Sequence, residues 1–166
     1  MLARLRRALT RIPTSRDWLE TALALAAFAV VVGPLGLATG LLVPEARPPG
    51  ELALIALTAF FVPALGEEAL FRGFLPDRRG GRRDLIPVIG SVAAFVCWHL
   101  VETIWLPGAA SVFLRPDFLA AAALLGLACA ALRVRSGSLW PAVGLHWAAV
   151  VAWQGWLGGP AFAALA

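Results

Sequence analysis

The sequence predicts an all-α fold, a polytopic membrane helix bundle with about five transmembrane helices. Three observations support this prediction. The chain of 166 residues is 60% hydrophobic with a mean hydropathy of +0.81, well above the apolar share of about 45–50% found in soluble proteins. Its apolar residues form long runs of about the length that crosses a bilayer. Its basic residues are all arginines, and most lie in the short segments before and between those runs.

The predicted spans follow one another with loop-forming residues between them. The first run is longer than the apolar region of a signal peptide, which is about 7–15 residues, so we expect it to be retained. Glycine and proline separate the first two runs, and arginines follow the second and fourth. The fourth run is short, since about 20 residues cross a hydrocarbon core. The predicted spans are residues 19–43, 51–75, 85–106, 117–132 and 138–157.

The chain therefore divides into three parts. Residues 1–17 form a basic cytoplasmic segment, and its first dozen residues suit a short amphipathic helix on the inner surface. Residues 18–158 form the transmembrane helical core, which carries every candidate site residue. Residues 159–166 form a short external tail, too short to cross the bilayer again.

Arginine positions predict the orientation in the cell membrane. Five arginines precede the first span, four follow the second and two follow the fourth, all on one side if the spans alternate. Only Arg47 and Arg115 fall on the other side. Cytoplasmic loops carry the excess of arginine, so the N-terminus is predicted cytoplasmic and the C-terminus external. This distribution is a topology signal, and we expect a lipid bilayer rather than nucleic acid as the partner.

Ionisable residues near the end of the second span are the first candidates for chemistry. Glu67, Glu68 and Arg72 lie within an otherwise apolar run, where an ionisable group costs roughly 2.5–3.5 kcal/mol. Glu68 and Arg72 are spaced i,i+4, which also suits a purely structural ion pair. Glu67 is rotated by about 100° and is left without that partner. A second desolvated carboxylate is hard to explain structurally, and we interpret Glu67 as a general base.

Two histidines reach a similar depth from other spans. With a rise of about 1.5 Å per residue, Glu67 lies roughly 13 Å, His146 about 12 Å and His99 about 21 Å from the inner side. His99 also has a structural interpretation as a satisfied core residue. Phe95 lies one turn before His99 and is expected to form a wall beside it. Glu102 either fixes the tautomer of His99 or marks the outer interface, and the interface is favoured.

Three motifs occur in the order and spacing of a known family. The chain resembles the CAAX protease and bacteriocin-processing superfamily, whose eukaryotic members are the type II CAAX prenyl endopeptidases. The resemblance covers about residues 51–150. The motifs are Glu67-Glu68-x-x-x-Arg72, Phe95-x-x-x-His99, and His146 after Ser-Gly-Ser-Leu-Trp-Pro.

The resemblance implies a glutamate-dependent intramembrane peptidase that needs neither a metal nor another cofactor. By that resemblance, Glu67 and His99 activate water, His146 stabilises the oxyanion, and Glu68 and Arg72 orient the site. The family commonly has an asparagine one turn after this histidine, which shares the oxyanion role. Here that position is Val150, and the chain contains no asparagine. Losing one oxyanion donor typically lowers the rate about 100- to 1,000-fold.

Three functions remain open at this point. The favoured one is an endopeptidase that cuts a membrane-associated peptide or the tail of a membrane-anchored protein, with Trp98 and Trp147 beside the histidines as candidate groove residues. The second is a non-catalytic scaffold or immunity protein that binds a peptide in the same groove, and Val150 favours it. The third is a metalloenzyme in which the two glutamates and two histidines hold zinc, but no His-Glu-x-x-His helix is present.

The orientation can be tested with topology reporters. A reporter fused after Leu132 is expected to read cytoplasmic, and one fused after Ala166 external, because arginine-rich loops stay inside. The measurement is paired phosphatase and fluorescent-protein fusions at both sites. The opposite pair of signals would contradict the predicted orientation.

Overall fold

The regular structure is helical, which confirms the all-α prediction. The computed structural model describes residues 2–76, 82–106, 108 and 110–160, and of residues 82–84 and 110 only the backbone. Within them, extended backbone pairs only at an isolated bridge between Glu45 and Leu157. The elements are α1 (Leu2–Thr10), α2 (Ser15–Thr39), α3 (Pro49–Ala59), a π-helical segment (Phe60–Glu67), α4 (Glu68–Phe71), α5 (Arg82–Glu102), α6 (Ala110–Phe113), α7 (Pro116–Ser136) and α8 (Trp140–Trp156).

Four stretches of the described chain are long and apolar enough to cross a membrane. They are Ser15–Thr39, Pro49–Phe71, Leu85–Glu102 and Pro116–Ser136. The fourth predicted span was expected to be short, yet α7 has 21 residues because the helix continues through Arg133 and Arg135, which the prediction placed after the span. The fifth span corresponds to α8, a 17-residue helix. Of the segment between the second and third predicted spans, residues 77–81 lie outside the described residues, as does the end of the predicted tail at 161–166.

The first long helix has clear end signals. Thr14 and Asp17 form a capping box, in which the Thr14 side chain accepts from the Asp17 backbone N–H and the Asp17 carboxylate accepts from the Thr14 backbone N–H. These bonds satisfy backbone donors at the helix start. The helix ends at Gly40, whose φ of 70° is the left-handed conformation that glycine adopts most readily.

The second span is not one regular α-helix. Pro49 occupies the first turn of α3, where its missing N–H leaves no bond unmade. The chain then changes to a π-helix from Phe60 to Glu67, with Pro63 inside it. A proline within a helix removes a backbone donor and clashes with the preceding turn, which disturbs α-helical geometry. Regular α-helix resumes at Glu68, so the change of geometry ends between the two acidic residues.

Helix α8 holds the bundle together. It packs against α2, α3, the π-helical segment and α7, while α5 packs mainly on α7. The loop after α2 crosses the C-terminal end of α8. There the backbone N–H groups of Val43, Glu45 and Arg47 donate, in that order, to the carbonyls of Leu157, Trp156 and Gly155 at 2.9–3.0 Å. The buried polar residues Glu68, Arg72 and His146 lie between these helices and are therefore enclosed on several sides.

Candidate active site

A buried cluster of charged side chains joins the end of the second span to α8. Glu68 and Arg72 both have fully buried side chains, and Arg72 Nη1 lies 3.2 Å from Glu68 Oε1. The Nδ1–H group of His146 donates to the same oxygen at 2.9 Å. The i,i+4 pair proposed from sequence is therefore present, and it also holds the imidazole of a distant helix.

Aromatic and backbone contacts complete the enclosure of Arg72. Its guanidinium lies over the ring of Phe95, 4.1 Å from the centroid, where a cation is attracted to the ring face. Gly126 of α7 lies beside both groups, and a Cβ there would be 2.7 Å from Arg72 Nη2 and 3.0 Å from Phe95 Cδ1. Glycine at this position leaves the space that the arginine occupies.

The imidazole of His99 has a fixed orientation. Its Nδ1–H group donates to the Phe95 carbonyl at 2.8 Å, so the other ring nitrogen, Nε2, carries the lone pair in the neutral ring. The rings of Phe95, Phe113 and Phe118 contact it edge-on at centroid distances of 4.7, 5.3 and 5.2 Å. A backbone carbonyl, rather than Glu102, is therefore the partner of Nδ1.

Glu67 is placed differently from its neighbour. Its Oε2 atom is 3.9 Å from His146 Nε2, and this buried oxygen has no hydrogen-bond partner among the described residues. The two carboxylates thus approach opposite nitrogens of one imidazole. Glu102 and Trp98, both on α5, are further neighbours with which Glu67 interacts. Of the two acids, Glu67 is the one that lines a cavity.

A cavity of about 230 Å³ opens onto these groups. Glu67, His99, Glu102 and His146 supply its ionisable lining, and Val150 lies in the wall one turn beyond His146. Most of the remaining wall is apolar. The aliphatic and aromatic lining includes Leu25, Phe28, Val32, Leu41, Leu42, Val62, Leu106, Phe113, Phe118 and Leu125.

The two tryptophans predicted beside a groove do not line this cavity. Trp147 donates its Nε1–H to the Ala56 carbonyl at 2.8 Å and so ties α8 to α3. Trp98 stacks obliquely between Phe71 and Trp105, at 6.2 and 5.7 Å. Among the residues that the structure describes, no group of three or more histidine, cysteine, aspartate or glutamate side chains is arranged to hold a metal ion.

Sequence reasoning missed part of the wall. Trp153 and Gln154 line the cavity, and Phe118 contacts both Trp153 and His99. Trp153 follows His146 by seven residues, a spacing that returns to the same helical face, so this signal was available. The contribution of α7 through Phe118 had no comparable signal, because a phenylalanine in an apolar helix is ordinary.

The fold and site define a class: a multi-pass membrane protein with an acid–imidazole cluster beside an apolar cavity. Residues 49–152 match the family described as Rce1-like, the type II CAAX prenyl endopeptidases. Since this match spans more than half of the chain, the protein belongs to that family, and the resemblance read from the three motifs is confirmed. No curated protein and no solved structure matches the chain.

The space around Arg72 can be tested at Gly126. Gly126→Ala is expected to lower stability by about 1–3 kcal/mol, because the added methyl group collides with Arg72 and Phe95. The measurement is the thermal unfolding midpoint of the detergent-solubilised protein, followed by tryptophan fluorescence. Gly90→Ala is the matched control, since a Cβ at this helical glycine meets nothing within 4 Å. Equal midpoints for the two variants would contradict this account.

Proposed function

We propose that the protein is a glutamic-type intramembrane endopeptidase. Its substrate is a membrane-associated peptide or the tail of a membrane-anchored protein. The observation that carries this proposal is the pair of adjacent carboxylates around His146. Glu68 is buried and held by its contacts with Arg72 and His146, whereas Glu67 lines the cavity. Membership of a peptidase family supports the same reaction class.

Glu67 acts as the general base in this proposal. It removes a proton from water as the water oxygen attacks the carbonyl carbon of the scissile peptide bond. His99 assists because its Nδ1–H is held by the Phe95 carbonyl, which leaves Nε2 to accept a hydrogen bond from the same water. The proton on Glu67 then passes to the leaving nitrogen as the C–N bond breaks, giving a carboxylic acid and an amine.

His146 stabilises the charge that forms on the carbonyl oxygen. In its protonated form both ring nitrogens donate, so that Nδ1–H binds Glu68 while Nε2–H is available to the oxyanion. Glu68 and Arg72 are positioning residues here, because they act through His146.

The position of the cavity supports access from one end of the bundle. The residues of α5 and α7 that line the cavity, such as His99 and Phe118, lie toward the ends of these helices that are farther from α1. At the end of the bundle next to α1, Ala8 packs with Ala64, Leu139 and Val143. This apolar cluster, the floor of the bundle, closes that end. With a cytoplasmic N-terminus, the substrate would enter from the external half of the bilayer.

Glu67→Gln is expected to abolish processing, because glutamine cannot accept the proton of water. The measurement compares the termini of membrane proteins in cells that carry the wild-type or the variant chain. An unprocessed precursor is expected only with Glu67→Gln. Glu51→Gln is the matched control, since Glu51 is an exposed acid earlier in the same span. Processing that persists with Glu67→Gln would rule out Glu67 as the general base. In a separate test, loss of processing when a chelator is added to isolated membranes would point to a metal.

Val150→Asn tests whether the missing amide limits the rate. Asparagine one turn after His146 adds a donor to the cavity wall, and we expect turnover to rise toward the factor of about 100 to 1,000 that one oxyanion donor contributes. Val151→Asn is the control, because Val151 is not among the cavity-lining residues. The measurement is turnover of the precursor found with Glu67→Gln. A fall in turnover specific to Val150→Asn would show that the wall requires an apolar residue.

A further inference from the structure

The N-terminal helix α1 has one buried face and one basic face. Leu5, Ala8 and Leu9 are its least exposed residues, and Ala8 is fully buried. The opposite face carries exposed arginines at 4, 6 and 7, and Arg11 follows directly after the helix. Residues 2–16 contain no acidic side chain. This segment therefore presents concentrated positive charge on the outside of the bundle.

Hydrogen bonds fix α1 against the turn that leads into α8. Backbone carbonyls at its C-terminal end accept from three groups of that turn. The donors are Leu139 N–H to Ala8, Trp140 Nε1–H to Leu9 and the Ser138 hydroxyl to Arg11, at 2.7–2.9 Å. The last carbonyls of a helix have no partner within it, so these bonds satisfy groups that otherwise need water.

The buried face of α1 lies below the acid–imidazole cluster. Ala8 packs with Ala64, Leu139 and Val143; Ala64 and Val143 each lie three residues before a site residue, Glu67 and His146 respectively. Leu5 reaches Gly73, the residue after Arg72, and a Cβ on that glycine would be 2.5 Å from the leucine methyl group. The position of α1 is therefore linked to both segments that carry the cluster.

A second pocket lies where α1 meets the turn between α7 and α8. It has a volume of about 200 Å³ and is lined by Arg7, Thr10, Arg11 and Gly137. Gly137 has a φ of +71°, and a Cβ there would be 2.9 Å from Arg11 Nη1. The glycine thus allows the guanidinium to lie close against the turn. Guanidinium groups bind phosphate through pairs of N–H donors.

We propose that the basic face of α1 and this pocket bind anionic phospholipid headgroups in the leaflet next to the N-terminus. Two features favour a lipid over other anions. Leu2 and Ile12, at the two ends of the segment, are 77% and 86% exposed. Trp18 and Leu19, one turn into the first span, are also exposed apolar residues. Basic amphipathic segments with such residues lie in the headgroup region, where anionic lipids attract arginine.

Headgroup binding holds α1 in place and so stabilises the packing below the cluster. The consequence is a protein whose stability depends on the lipid composition of one leaflet. This holds whether or not the protein is a peptidase, because the contacts of α1 involve none of the groups assigned to the reaction.

The experiment compares purified protein in micelles supplemented with phosphatidylglycerol or with phosphatidylcholine. Phosphatidylglycerol is expected to raise the thermal unfolding midpoint, and native mass spectrometry is expected to detect it bound. The double variant Arg4→Gln/Arg6→Gln should lower its affinity by roughly five-fold for each arginine removed and reduce the rise in the midpoint. Arg11→Gln tests the pocket separately and should also weaken binding.

Two controls identify the ligand and the surface. Inorganic phosphate is compared with chloride at equal ionic strength in phosphatidylcholine micelles and should not raise the thermal unfolding midpoint. A rise equal to that given by phosphatidylglycerol would show a site for free phosphate and overturn the proposal.

Arg47→Gln is the matched variant, because Arg47 lies at the other end of the bundle and pairs with Glu45. It should leave the lipid effect unchanged. Equal midpoints in the two lipids, or an undiminished lipid effect in the arginine variants, would also overturn the proposal.

Discussion

Burial of the Glu68 carboxylate is the constraint on which much of the structure depends. A carboxylate removed from water needs an opposite charge and hydrogen-bond donors, or its desolvation outweighs what it gains. Arg72 supplies the charge and His146 supplies a donor. Both partners must then be enclosed in turn, which requires the ring of Phe95 and the open backbone at Gly126. One buried charge therefore specifies how α4, α5, α7 and α8 pack.

The π-helical segment before the cluster bears on how the two carboxylates are placed. Adjacent residues on an α-helix diverge by about 100°, yet Glu67 and Glu68 both approach the ring of His146. Glu67 is the last residue of the π-helical segment and Glu68 the first of α4. A π-helix inside a longer helix often occurs at a functional site. Here it ends between the two carboxylates, one paired and one facing the cavity.

Much of this organisation could be predicted from sequence, because it depends on composition and spacing. Long apolar runs predicted the helices, and the four-residue spacing of Glu68 and Arg72 predicted their ion pair. The π-helical segment was not predicted, since its residues are apolar whichever helix geometry they adopt. The partner of the His99 Nδ1–H group was also missed. Any carbonyl one turn earlier can accept from it, and only the side-chain rotamer selects Phe95 over Glu102.

The contacts of α1 at one end of the bundle bear on which residues make up the folded unit. Similarity to the family covers residues 49–152, but the groups that close this region come from outside it. Three carbonyls of the α1 segment accept from Ser138, Leu139 and Trp140, and α2 contributes a wall of the cavity. A fragment cut to the matched residues would expose apolar floor and leave donors without acceptors. The segment that matches the family is thus shorter than the set of helices that encloses the site.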